Sequence, residues 1–308
     1  MKNILLTNAD GCLGSSIARI MRKKLGSELK IHALAHTYNS IISNICDSVS
    51  IYSNDCNIDG DYDVENVAEL CKKLSIDAII PTTDHETVVF SHAKFRLPYL
   101  FCSDERMSKA CYDKWEFCQL LERMSLPCPK TVLPSHRIQP TGDYLIKPRR
   151  GGLSRDIHFG SPSLEKFNDE YIVQEKLHGT EVTIAVFKAI SGEVIGPLVA
   201  ERTLFHGMTN FMRPIAPNRG VMNFVTEFLK CDGLNGPCNI QGMVDGESFV
   251  PFEINLRFSG STSLRDALGF EDLHWGLREF MDRSKSIITT WEPSGRAAVR
   301  YFTEALLN

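Results

Sequence analysis

The first hundred residues alternate short apolar runs with helix-like segments, an order that few architectures accept. Ile4 to Thr7, Ile31 to Ala35 and Ala78 to Pro81 are strand-sized runs, while Leu13 to Leu25 and Val64 to Leu74 read as helices. Strands separated in this way close into a parallel sheet with crossover helices. Between the first strand and the first helix, Asn8-Ala9-Asp10-Gly11-Cys12-Leu13-Gly14 sets two glycines where backbone N–H groups could meet an anion. A dinucleotide fingerprint needs a further leading glycine, where this chain has Asn8, and an acid near the end of the second strand, where it has His36. A structural turn is expected there rather than a nicotinamide site.

The 308 residues suit two domains or three sub-lobes. Apolar residues make up 43% and charged residues 23%, so an ordinary globular protein is expected. A net charge of -4, with basic residues scattered among acids, offers no field for a nucleic-acid backbone. The ten cysteines include no Cys-x-x-Cys, and Met1-Lys2-Asn3-Ile4 opens no signal-peptide pattern. Reduced, packed thiols and a cytoplasmic location are therefore expected. Apolar stretches are strand-sized, too short to cross a membrane.

The pattern changes near residue 105. One helix is predicted from Ser108 to Met124, ended by Leu126-Pro127-Cys128-Pro129 because each proline disfavours helix at the residue before it. From Thr131 to about Leu177 the segments are short and strand-like. Phe187 to Ala200 reads as a hairpin turned at Ser191-Gly192, and Ile240 to Val244 and Phe249 to Asn255 as a second, joined by Asp245-Gly246. The last forty residues are predicted helical.

Three features carry candidate chemistry. Lys147-Pro148 precedes Arg149-Arg150-Gly151-Gly152-Leu153-Ser154, a loop whose N–H groups can fold over phosphates while Lys147 supplies a point charge. Alone, this is more often a surface hairpin. Next, Gln174-Glu175-Lys176-Leu177 leads through His178-Gly179 into a strand on which Glu181 and Thr183 face away from Val182, Ile184 and Val186. Alone, this is an edge hairpin with solvated acids. Last, Glu253, Asn255 and Arg257 are spaced by two, which sets a carboxylate, an amide and a guanidinium on one strand face while Ile254 and Leu256 enter the core. Gln241 lies on the partner strand, and Ser259-Gly260-Ser261-Thr262-Ser263 follows as a hydroxyl-rich turn with exposed N–H groups suited to an anion. Oxygen ligands of this kind suit magnesium, which binds through one or two protein oxygens together with phosphates.

In this order the features resemble the ATP-grasp superfamily, particularly the branch of the carbamoyl-phosphate synthetase large subunit, biotin carboxylase and small amino-acid ligases. The resemblance covers nearly the whole chain. It implies an α/β fold: an N-terminal open parallel sheet, Rossmann-like, over residues 1–105, then a two-lobed ATP-grasp domain over 106–308. The small lid lobe would span about 128–178 and the large lobe about 179–308. It further implies that Lys114 and Lys147 bind nucleotide phosphates with Gly151, Gly152 and Ser154, that Gln174, Glu175, Lys176 and Leu177 hold the adenine, and that Glu181 takes the ribose. Gln241, Glu253 and Asn255 would hold Mg2+, and Arg257 with Ser259 and Ser261 would meet the substrate, Arg257 and Lys147 being catalytic. The chain departs from many relatives in having Leu256 for a proline, Gln241 for a carboxylate and fewer glycines in the phosphate loop.

The implied activity is ATP-dependent carboxylate–amine ligation through an acyl phosphate, releasing ADP, with small-molecule acid and amine as partners and a homodimer common in this fold. Two alternatives share the fold: a small-molecule kinase and a non-catalytic ATP-binding protein. A nicotinamide oxidoreductase would rest only on Gly11 and Gly14. A zinc hydrolase lacks His-Glu-x-x-His; His32 and His36, four apart, fall on a predicted strand.

Overall fold

The computed structural model describes residues 1–52, 63–138, 142–152, 155–160, 162–282, 291–293 and 295–301. Its first third alternates β1 (Lys2–Leu6), α1 (Cys12–Leu25), β2 (Leu29–Ala35), α2 (Ser40–Ile45), β3 (Ser48–Ile51), α3 (Val64–Lys73), β4 (Ala78–Ile80), α4 (Asp84–His92) and β5 (Tyr99–Leu100). The five strands form a parallel sheet in the order β3-β2-β1-β4-β5, as the alternation requires. Strand order reverses between β1 and β4, so a crevice opens at their carboxyl ends, where open α/β sheets bind ligands. Gly14 belongs to that corner for steric reasons. A Cβ there would lie 2.6 Å from Ala9 Cα, so the glycine lets α1 pack against the end of β1.

Residues 108–124 do not form one helix. They are divided into α5 (Glu105–Tyr112) and α6 (Lys114–Arg123) by Asp113, whose backbone is extended and whose carboxylate caps α6 by accepting from Trp115 N and Glu116 N at 3.0 and 3.4 Å. Three short strands follow, β6 (Thr131–Val132), β7 (Tyr144–Pro148) and β8 (Tyr171–Glu175), in an antiparallel sheet ordered β6-β8-β7. Its core is small, built on Tyr144, Ile146 and Val173.

The largest sheet is antiparallel, ordered β13-β12-β9-β10-β11-β14. It contains β9 (Thr180–Lys188), β10 (Val194–Phe205), β11 (Met208–Pro214), then, after α7 (Arg219–Phe228), β12 (Gly236–Asp245) and β13 (Ser248–Asn255). Both predicted hairpins are present. Strand β9 is buried on both faces: Val182, Ile184 and Val186 pack with α7 residues, while Ala185 and Phe187 join the core of the N-terminal sheet. Thr183 is therefore buried rather than solvated, with its hydroxyl 3.1 Å from Asn239 Oδ1.

The prediction of a helical C-terminus fails in part. After α8 (Thr262–Ala267) and α9 (Asp272–Met281), Ala298–Val299 form β14, which pairs with Met212 and Phe211 on β11. Residues 283–290 and 302–308 lie outside the described residues. Among the described residues no helix is long and apolar enough to cross a membrane, and every cysteine is free. Burial pushes the Cys46, Cys71, Cys102 and Cys238 thiols up to about 12, so they act as packing groups.

Candidate active site

Two adjoining chambers lie between the three sheets. The first, of 540 Å³, brings together Lys114, Lys147, Gly151, Gly152, Gln174, Glu175, Lys176, Leu177, Glu181, Gln241 and Glu253. These come from separate strands and loops. Its apolar walls, Leu145, Met243 and Phe252 among them, carry no recognisable pattern in the sequence, yet they make a slot suited to a flat ring. The second chamber, of 410 Å³, shares Gly151, Gly152, Gln241 and Glu253 with the first and adds Asn255, Arg257, Ser259 and Ser261. Its far wall is the crevice of the N-terminal sheet, from Asn8 to Gly14 and from Thr82 to His85. Ser154 lies outside the described residues.

The lysines are fixed from two directions. Lys114 is the first residue of α6, and its Nζ donates to Gly151 O at 2.8 Å, which ties the helix to the glycine loop. Asp113, just before it, holds the same loop, accepting from Arg149 Nη2 at 2.8 Å and Arg150 Nη2 at 3.2 Å. Lys147 on β7 reaches across to the large sheet, where its Nζ sits 5.3 Å from the Phe252 ring centre. Burial, reinforced by the positive charge of Lys114, lowers its pKa to about 8.

Glu253 stands opposite Gln241 in the β12–β13 register, as Asn239 does opposite Asn255. Burial alone would raise the Glu253 carboxyl, but Lys114 and Lys147 outweigh it and hold its pKa below the ordinary glutamate value. A carboxylate kept ionised here is a hard oxygen donor that fits a divalent cation; beside it Asn255 Nδ2 donates to Glu253 Oε1 at 3.5 Å, while Asn255 Oδ1 accepts from Gln241 Nε2 at 3.4 Å. Among the described residues no cluster of three or more His, Cys, Asp or Glu side chains could hold a metal. Such a cation would thus rest first on Glu253, with Asn255 joining once its Oδ1 turns from Gln241 Nε2, and complete its shell with water or phosphate. The expected third ligand stands differently. Gln241 Oε1 accepts from Arg202 Nη2 at 2.7 Å, so a guanidinium occupies the lone pair that a cation would use.

Three other expectations need amending. The Glu175 carboxylate accepts from Lys130 N at 2.8 Å through Oε1, and Lys176 N donates to Asp143 O, so the Lys176 N–H is taken. Gln174 is buried, its amide donating to Thr131 Oγ1 at 3.0 Å. The serine turn is not a row of exposed N–H groups either: Ser259 N donates to Thr262 Oγ1 and Ser261 N to Ser259 Oγ. Both hydroxyls accept from Arg265 Nη1, at 2.7 and 3.1 Å, and Arg265 also forms a fully buried ion pair with Asp272.

Arg257 has a partner that strand periodicity could not reveal. Its Nη2 donates to Asp84 Oδ2 at 2.5 Å, and Nη1 to Phe258 O at 3.0 Å. Asp84 is set there by the capping box of α4, in which Thr83 Oγ1 accepts from Glu86 N and Glu86 Oε2 accepts from Thr83 N. The sequence Thr83-x-x-Glu86 advertises that cap, though not its partner.

Residues 111–261 match the model of the ATP-grasp domain family. No curated protein matches the chain by sequence. Solved structures with the same fold include an ADP complex of N5-carboxyaminoimidazole ribonucleotide synthetase, 16% identical over 90% of this chain and 76% of that one, with a TM-score of 0.72. The Thermotoga maritima synthetase of that name is 18% identical over 92% and 76%, at 0.69. The biotin carboxylase domain of the Hydrogenobacter thermophilus 2-oxoglutarate carboxylase, solved with MgADP, ADP and bicarbonate, is 14% identical over 91% and 70%, at 0.72. The parallel sheet and the two antiparallel sheets give the chain the fold of these structures, and residues 111–261 form a domain of the ATP-grasp family.

Proposed function

We propose that the chain is an ATP-dependent ligase that activates a small-molecule carboxylate as an acyl phosphate and passes it to an amine. The observation that carries this reading is the convergence of Lys114, Lys147 and Glu253 in the first chamber, with Glu253 also lining the second. In the reading, the apolar slot takes adenine, Glu181 the ribose, and the two lysines with Gly151 and Gly152 the phosphates. Glu253 and Asn255 hold Mg2+, which supplies charge neutralisation at the phosphates when bound. The acid lies in the second chamber near Arg257, and its carboxylate oxygen attacks the γ-phosphorus in line as the bond to ADP breaks. An amine then attacks the carbonyl carbon and phosphate leaves. The small sheet over the glycine loop shields the acyl phosphate from water. A homodimer belongs to the same reading.

One observation favours a second reading. Asp84 beside Arg257 could accept the proton of an alcohol, which a kinase needs and a carboxylate substrate does not. An ADP-release screen against pairs of amino acids identifies substrates. With the active acid, ATP and hydroxylamine in place of the amine, a hydroxamate and one ADP per turnover are expected. A stable phosphorylated product with no hydroxamate would replace the ligase by the kinase.

Lys147 makes nucleotide affinity depend on pH. Its folded pKa near 8 lies below the ordinary lysine value, so the free protein loses this charge as pH rises through about 8. Bound phosphates favour the charged form, so binding takes up a proton above that pH and affinity falls by at most about tenfold per unit. Calorimetry with MgADP from pH 7 to 9.5 should show that decline in wild type and a flat profile in Lys147→Arg. A flat wild-type profile would remove Lys147 from the phosphate site.

A further inference from the structure

Arg202 occupies a seat that the nucleotide reading gives to other groups. It stands near the end of β10, between the two chambers, and lines both. Its Nε and Nη2 donate to Glu181 Oε1 at 3.2 and 2.9 Å, and Nη2 also donates to Gln241 Oε1 at 2.7 Å. One guanidinium thus ties together the carboxylate expected at the ribose and the amide oxygen expected at the metal. A divalent cation cannot share Gln241 Oε1 with a positive group at that distance. A sugar hydroxyl likewise finds Glu181 Oε1 already accepting twice.

The same guanidinium already reaches toward the second chamber: Arg202 Nη1 donates to Thr209 Oγ1 at 3.5 Å, and buried Thr209 belongs to that chamber's wall. The other guanidinium expected to meet a substrate anion there, Arg257, is already neutralised by Asp84. Arg202 released from Glu181 would bring an uncompensated planar cation, the group best matched to a carboxylate or phosphate by two-point hydrogen bonding.

Resting on the nucleotide reading above, we propose that Arg202 is a two-position residue. In the free protein it fills the ribose and metal seat between Glu181 and Gln241. Displaced by the metal nucleotide, it turns about its own side-chain bonds toward Thr209 and binds the anionic group of the substrate in the second chamber. Nucleotide and anion then bind cooperatively, and by linkage each strengthens the other equally.

The test uses MgADP for the first chamber and inorganic phosphate for the second. By calorimetry, Arg202→Met should bind MgADP about fivefold more tightly than wild type, because a partly exposed ion pair no longer has to break. With MgADP saturating, its affinity for phosphate should fall by about tenfold, as expected for a lost charge-assisted pair. Arg202→Lys should lie between the two. Thr209→Val, which removes the hydroxyl that Arg202 Nη1 meets at 3.5 Å on the side of the second chamber, should weaken phosphate by more than it changes MgADP affinity. Equal or weaker MgADP binding by a folded Arg202→Met protein overturns the proposal, as does unchanged phosphate affinity in both Arg202→Met and Thr209→Val. Failure of the wild-type protein to bind MgADP at all would sink the nucleotide reading itself, and this proposal with it.

Discussion

Glu253→Gln is expected to reduce ATP turnover by about 10²-fold or more while leaving the fold intact, an effect of the size seen when one preorganised charge is removed from a dry site. The amide keeps the shape of the side chain and its place opposite Gln241, so packing on β13 is preserved. What disappears is the negative charge that Lys114 and Lys147 hold in place. Without it the two lysines face each other with less compensation, and Lys147, already lowered to about 8, should drop further. Two failures are thereby coupled: a weaker cation site and a weaker phosphate grip. Steady-state ADP release with the substrate pair from the screen, together with circular dichroism, checks this. Unaltered turnover would move the metal and phosphate centre away from Glu253.

The largest effect on stability is expected at Asp272. Arg265 is 1% exposed and Asp272 1% exposed, so the pair has no access to water. Asp272→Ala leaves a buried guanidinium without its carboxylate, at a cost of about 3–5 kcal/mol. The shift should be measured as a fall in the denaturant midpoint, followed by the fluorescence of Trp275 and Trp291, which both pack edge-on against Phe270. The double variant Arg265→Met with Asp272→Leu should recover much of the loss, because two apolar groups need no partner. If Asp272→Ala unfolds at the wild-type midpoint, the pair contributes little to folding. Arg265 also donates to both serines of the substrate-side turn, so the double variant tests a second property. A stable fold with a misplaced turn should retain MgADP binding and lose affinity for the acid.

The strand and hairpin pattern was legible because it follows local rules: period-two alternation, Gly-containing turns, and prolines that end helices. The same periodicity found Glu253, Asn255 and Arg257 on one face, since β13 is regular there and Ile254 and Leu256 are indeed buried. Arg202 was illegible for a specific reason. Counting back from the Ser191-Gly192 turn pairs Phe187 with Ile195, a register that would set Glu201 against Glu181. An extra residue between Ile195 and Leu198 shifts the ladder, so Val182 faces Glu201 and the next position brings Arg202 to Glu181. Gly196-Pro197 marks the place, but neither residue announces how far the register slips. Asp84 was missed because its partner is 173 residues away. The division of residues 108–124 at Asp113 was missed because amphipathic spacing continues across it, whereas the carboxylate is held by Arg149 and Arg150 from a distant loop.

The core of the N-terminal sheet does not stop at the chain position where that sheet ends. Ile4, Ile17, Met21 and Phe101 belong to the same buried cluster as Phe187, Phe258, Phe270 and Leu277. A cut near residue 105 would strip a greasy face bare on each fragment, so neither half is a natural unit for expression or for recombination with a foreign partner. The three-stranded sheet is different in kind, since its buried cluster rests on Tyr144, Ile146 and Val173. With so small a core, it is expected to open and reclose at lower free-energy cost than the rest. Exchange of sequence between relatives should therefore be tolerated most readily in that piece, which makes it the part of the molecule with the greatest freedom to diverge.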